Sequence, residues 1–65
     1  MTNTQRIQRI DFIHRLIINL KAKKRTIHHE ELVGEIMDKW CCADRTAREY
    51  IKAALYKLKM TRDDL

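Results

Sequence analysis

Arg45, Arg48, Lys52 and Lys59 recur at spacings of three, four and seven residues, with Tyr56 between the last two. On a helix turning about 100° per residue they fall along one side. Guanidinium groups can bond bidentately to guanine O6 and N7, and ammonium groups can reach phosphates or bases farther along. A tyrosine hydroxyl in the same stripe can hydrogen-bond a phosphate. Thr46 stands at the edge of the stripe, where it can cap the helix or touch a phosphate. Glu49 can accept from cytosine N4, or simply hold Arg45 through an i,i+4 pair. The competing account is that all of these form a solvated outer face. A second basic run, Lys21-Ala22-Lys23-Lys24-Arg25, complements the dipole at the end of a helix. Its Lys23, Lys24 and Arg25 can also contact phosphates beside a groove.

Other chemistry finds less support. His14, His28, His29, Cys41 and Cys42 lack the separations that let zinc ligands converge, so no metal is expected. No nucleophile, base and orienting group form a set, and no glycine-rich phosphate loop is present, so neither catalysis nor a cofactor is expected. Adjacent Cys41 and Cys42 do not make a disulfide framework and read most simply as reduced thiols, a bridge between subunits being the alternative.

Three helical patterns position the basic stripe. The first covers about residues 4–22, with Thr2 or Thr4 as its cap and Gln5 placed for a capping box with Thr2. Its apolar residues (Ile7, Ile10, Phe12, Ile13, Leu16, Ile17, Ile18 and Leu20) spread over roughly 240°. A helix packed on one side of a small core needs an arc only somewhat wider than about 100°. One explanation is a central helix wrapped by the other two. The preferred one is that Ile7, Ile10, Phe12, Ile13, Leu16 and Ile17 supply an interface with a second copy of the chain. The second helix covers about residues 27–40, capped by Thr26. Leu32, Val33, Ile36, Met37 and Trp40 line one side, and the acidic Glu30, Glu31, Glu35 and Asp38 are expected to point away from any polyanion. The third covers about residues 44–60 with Asp44 as N-cap, Thr46 and Glu49 as a capping box, and Ala43, Ala47, Ile51, Ala54, Leu55 and Leu58 buried. Only Cys41, Cys42 and Ala43 separate the last two helices. So short a link, followed by a basic helix, makes a helix-turn-helix arrangement. Glycine is common in such turns and absent from this one; a cysteine taken into the left-handed region there would cost energy.

Composition agrees. Sixty-five residues make one domain, here residues 1–65, and so small a domain is marginal without a partner or a very compact core. One glycine and no proline favour helices with short connections over a turn-rich sheet. The net charge of +5 is the footprint expected of a protein that meets phosphates, one shared by ribosomal and membrane-surface proteins, and it is unevenly placed, with the acidic residues of the second helix between two basic segments. No apolar run is long enough to span a membrane and the N-terminus shows no signal-peptide pattern, so a cytoplasmic protein without membrane partners is expected.

The stretch Glu31-Leu32-Val33-Gly34-Glu35-Ile36-Met37, then Trp40-Cys41-Cys42-Ala43-Asp44-Arg45-Thr46-Ala47-Arg48-Glu49-Tyr50-Ile51, with Leu55 and Leu58, resembles the helix-turn-helix of small prokaryotic, especially archaeal, transcription regulators of winged-helix type. The resemblance spans about residues 26–58 and rests chiefly on Arg-Thr-Ala-Arg-Glu-Tyr-Ile. It implies that Arg45, Thr46, Arg48, Glu49 and Lys52 face a DNA groove. The usual serine cap is replaced by Ala43 or shifted to Asp44, and the seven residues after Leu58 leave no room for a wing. The expectation is an all-α, three-helix, wingless domain. It would act as a homodimer on double-stranded DNA in transcription regulation, with the third helix in the major groove. The alternatives are a helical protein-interaction module or a non-specific nucleic-acid binder.

Overall fold

A computed structural model describes residues 3–65, except for the side chain of Arg62. Three helices follow one another: α1 (Asn3–Ala22), α2 (His29–Trp40) and α3 (Asp44–Lys57), closed by a single 3-10 turn at Arg62–Asp64. No strand occurs among the described residues. The fold is the expected all-α, three-helix arrangement.

The helix starts differ from the sequence expectation for a local reason. α2 begins two residues late because Ile27 is buried in the segment ahead of it and His28, the N-cap, is extended at φ −91°, ψ 116°. Ile27 and Leu32 then occupy the N′ and N4 positions of a hydrophobic staple, and both are buried. Thr26, expected as the cap, lies outside the helix and is exposed. In α3 the N-cap is Ala43, and Asp44 is the first helical residue. Neither N-cap makes a side-chain hydrogen bond. Glu30, Glu31 and Asp44 in the first turns serve the helix dipoles instead. Of the two expected caps of α1, Thr2 lies outside the described residues and Thr4 is inside the helix.

The helix ends share one device. Lys24, Cys41 and Lys59 all have positive φ, at 57°, 49° and 55°. Beyond each, an amide bonds back five residues: Arg25 to Leu20, Cys42 to Met37 and Met60 to Leu55, at 3.0–3.2 Å. This is the Schellman closure, which usually places glycine at the left-handed position. With its one glycine inside α2, this chain uses lysine and cysteine there. The closure at Lys59 stops α3 at Lys57, three residues short of the expected end. Leu58 and Met60 still pack on the core, so apolar periodicity continues past the point where the helix stops.

One core joins all three helices. α1 contributes Ile10, Ile13 and Ile17; α2 contributes Leu32, Val33 and Ile36; α3 contributes Ala47, Tyr50, Ile51, Ala54 and Leu55. α3 therefore buries the most and packs on both other helices. Neither account of the wide apolar arc on α1 fits as stated. α3, not α1, is the central helix. Ile10, Ile13 and Ile17 are enclosed within the single chain, so they cannot form the interface with a second copy for which they were candidates. Leu16 is partly buried against the same core. Of the expected interface, Ile7 and Phe12 remain at 59% and 40% exposure, joined by Ile18 at 44%.

Candidate nucleic-acid interface

The presentation of α3 begins in the link before it. Cys41 takes the left-handed conformation that a glycine would normally fill, letting the chain reverse within three residues. Cys42 turns inward, its Sγ 3.8 Å from the Ile36 carbonyl, while Cys41 is exposed. Across the link, Trp40 meets Tyr50 of α3 edge-to-face at 6.1 Å and Phe12 of α1 at 5.6 Å. Arg9 lies 5.3 Å from the Trp40 ring and donates to the Tyr50 hydroxyl at 3.4 Å. Lys39 covers Phe12 at 4.5 Å. This aromatic stack holds the middle of α3, at Tyr50, against both other helices, with cations beside its rings.

With its inner face buried, α3 turns Arg45, Glu49, Lys52 and Tyr56 outward, within about 60° of arc at about 100° per residue. Arg45 is 91% exposed and Tyr56 84% exposed. Arg45 approaches Glu49 at 3.7 Å, the i,i+4 alternative for Glu49. Such an exposed pair is weak and exchanges readily with other partners. Lys52 has no ion-pair partner among the described residues. Thr46 is half-buried inside the first turn and makes no cap.

Arg48 behaves differently from the expectation that it reads bases. It donates from Nε to Asp44 Oδ1 at 2.6 Å, and from Nη1 and Nη2 to the two carboxylate oxygens of Glu30 at 3.1 and 2.6 Å. Its planar fork is thus filled by α2, and the fork that would bind a guanine is occupied. The hydrogen bond from Arg48 holds the Glu30 carboxyl below its ordinary value, and the same bond, with that to Asp44, raises Arg48 further above its own. Glu30 consequently sits beside the start of α3, not on the side turned away from it. The cause is tertiary: 18 residues separate the partners, and nothing in either helix alone announces the pair.

The second basic run belongs to another element. Lys23, Lys24 and Arg25 are exposed at the end of α1, and the neighbouring Lys21 donates to the carbonyl of Asp64 in the C-terminal turn. Lys59 follows α3 in its left-handed closure and so leaves the helical stripe. Two residues not singled out in the sequence come close to it. Arg6 of α1 and Lys57 of α3 line an open cleft with Lys52 and Tyr56. Lys57 lies about 100° from Tyr56 on the helical wheel, outside the stripe, and Arg6 belongs to another helix; only the packing of α1 on α3 brings them together. On the other side of Lys52 and Tyr56 a second cleft is lined by His29, Arg48, Leu55 and Met60. No cluster of three or more metal-ligating side chains occurs among the described residues, and no helix described is long and apolar enough to cross a membrane.

No protein-family model matches this chain, and neither a curated protein nor a solved structure shows significant similarity to it.

Proposed function

We propose that this chain binds double-stranded DNA by laying the outer face of α3 in the major groove, as a cytoplasmic transcriptional regulator acting as a homodimer. One observation carries the reading: a helix whose inner face is fully buried presents exposed Arg45, Lys52 and Tyr56 on a single outer stripe, delivered by a three-residue link. Arg45 is the candidate base reader, because its partner Glu49 is loose and exposed. Lys52 and Tyr56 suit phosphates. Arg48 positions α3 through Glu30 and leaves the list of base readers. Exposed Ile7 and Ile18, about 20° apart round α1, are the apolar residues that a second copy would cover, whereas Phe12 lies on another side beneath Lys39. Paired reading helices would then meet grooves about one turn apart.

The test is fluorescence anisotropy with random duplex at low and moderate salt, on wild type and Arg45→Ala/Lys52→Ala. The expected result is salt-sensitive binding that the double variant weakens about tenfold or more, its salt slope shallower by up to about 1.8. Absence of binding at low salt refutes the reading and leaves the exposed apolar residues of α1 as the argument for a protein-interaction module. Equal competition by structured RNA would replace duplex specificity with a general nucleic-acid role. Sedimentation at about twice the 7.9 kDa chain mass checks the dimer independently.

A further inference from the structure

We infer that the cleft between α1 and α3 is a phosphate seat, gripping the sugar–phosphate strand that borders the groove entered by α3. This inference rests on the DNA-binding reading and adds to it a site made by two helices. The cleft has a volume of about 540 Å³ and is lined by Arg6 from α1 and by Lys52, Tyr56 and Lys57 from α3. Its floor is Ile10, buried, and Ala53, half-buried.

Among the cations within α1 and α3, charge pairing sets this cleft apart; Lys23, Lys24, Arg25 and Lys59, which are also unpaired among the described residues, lie beyond the helix ends. Arg9 lies over Trp40 and Tyr50, Arg15 pairs with Asp11 at 3.1 Å, Arg45 approaches Glu49, and Arg48 is filled by Glu30 and Asp44. Arg6, Lys52 and Lys57 have no hydrogen-bond or ion-pair partner among the described residues. The one carboxylate lining the cleft is Glu49, so three cations outnumber it there even when Arg45 leaves it for a base. Three unpaired cations from two helices thus converge on a concave surface with an exposed phenol hydroxyl. The cations are exposed, so each contact made here is salt-sensitive.

The arrangement is preorganised. Ile10, Ile13 and Ile17 join Ala47, Tyr50, Ile51 and Ala54 in one core, so the separation of Arg6 from Lys57 is set by buried packing and not by two mobile side chains alone. Position identifies the occupant. Lys52 and Tyr56 belong both to the outer stripe and to the rim of this cleft, so whatever meets the stripe extends over the cleft. In the cleft on the other flank the arginine, Arg48, is already satisfied by carboxylates. The two flanks of α3 therefore differ, and a duplex seated on the stripe has its backbone gripped on the Arg6 side.

The experiment compares wild type, Arg6→Ala/Lys57→Ala, the charge-keeping Arg6→Lys/Lys57→Arg, and Arg45→Ala/Lys52→Ala. Each is titrated with random duplex and with two unrelated duplex sequences between 50 and 200 mM salt. Circular dichroism verifies that every variant keeps its helices. Removing two phosphate contacts should lower the salt slope by about 1.8, so that the loss of affinity over that salt range becomes about tenfold smaller. The alanine pair should weaken all three duplexes by the same factor, and the charge-keeping pair should recover most of the binding. Unchanged affinity and slope in the alanine pair, with Arg45→Ala/Lys52→Ala still weakened, would overturn the phosphate seat and leave the reading helix standing. Failure of wild type to bind any duplex would overturn both.

Discussion

The inner and outer faces of α3 are built from residues one position apart and answer to different forces. Tyr50 and Ile51 face the core and are fully buried, while Glu49 and Lys52 beside them face solvent. The inner face needs shape: its members join the buried residues of α1 and α2 in one core. The outer face needs charge that is free to be shared with a partner. Arg48 lies on the boundary, at the edge of both, and it takes neither role. Being only partly exposed, it is close enough to α2 to be captured by Glu30. A face of a helix can be read from spacing; a boundary residue is decided by what the next helix offers.

The sharpest break in the comparison is a pair of truncations on the same helix. Ile51→Ala removes a wholly buried side chain and should destabilise the fold by ~2–5 kcal/mol. A chain of this length has only roughly 3–10 kcal/mol in total. Tyr56→Ala, on the exposed side, should change stability by no more than about 0.5 kcal/mol. Urea denaturation monitored at 222 nm measures both. Similar losses at the two positions would mean that α3 is not held by its inner face.

A smaller effect is expected where the outer surface is set by backbone. Lys59 and Cys41 adopt left-handed conformations that disfavour a side chain, so Lys59→Gly and Cys41→Gly should each stabilise by ~1 kcal/mol. At Lys59 the gain would come despite the loss of a cation. Thermal midpoints of the two single variants suffice. A fall in both would show that the left-handed closures are not adopted.

Much of this architecture is legible in the sequence because it is periodic. Three helices, the central link and most of the inner stripe of α3 follow from apolar spacing, although Ala43, expected in that stripe, is exposed and buried Tyr50 was not placed in it. The missing glycine counted against a left-handed residue in the link, yet Cys41 adopts one. The exact starts and stops were hidden. Thr26 and Asp44 look like caps, yet burial of Ile27 moves one start and the carboxylate of Asp44 goes to Arg48. Pairing across helices was hidden more deeply. Glu30 reads as an outward acid on its own helix, and Arg6 as a charge near the N-terminus, until tertiary packing sets each beside α3. The wide apolar arc of α1 was legible, but its division between core and surface was not, because the division depends on where α3 crosses.

The Arg48 boundary gives the smallest and most specific effect, readable through pH. The hydrogen bond from Arg48 depresses the Glu30 carboxyl below its ordinary value of 4.5 in the folded protein. A depressed acid stabilises the fold above its unfolded value, and that contribution is lost as pH falls through the folded value. Arg48 stays charged throughout, its own value raised by the same carboxylates. Asp44 continues to hold Arg48 from the other side. Because the groups are exposed, the pair should contribute less than either glycine change and weaken with salt. A double-mutant cycle of Glu30→Gln and Arg48→Gln should therefore show favourable coupling at pH 7 that begins to fade below about pH 4.5 and vanishes once Glu30 is protonated. Coupling that persists unchanged into acid would mean that the two side chains meet through packing and not through charge. Absence of coupling at pH 7 would return Arg48 to the outer face, free to reach a base.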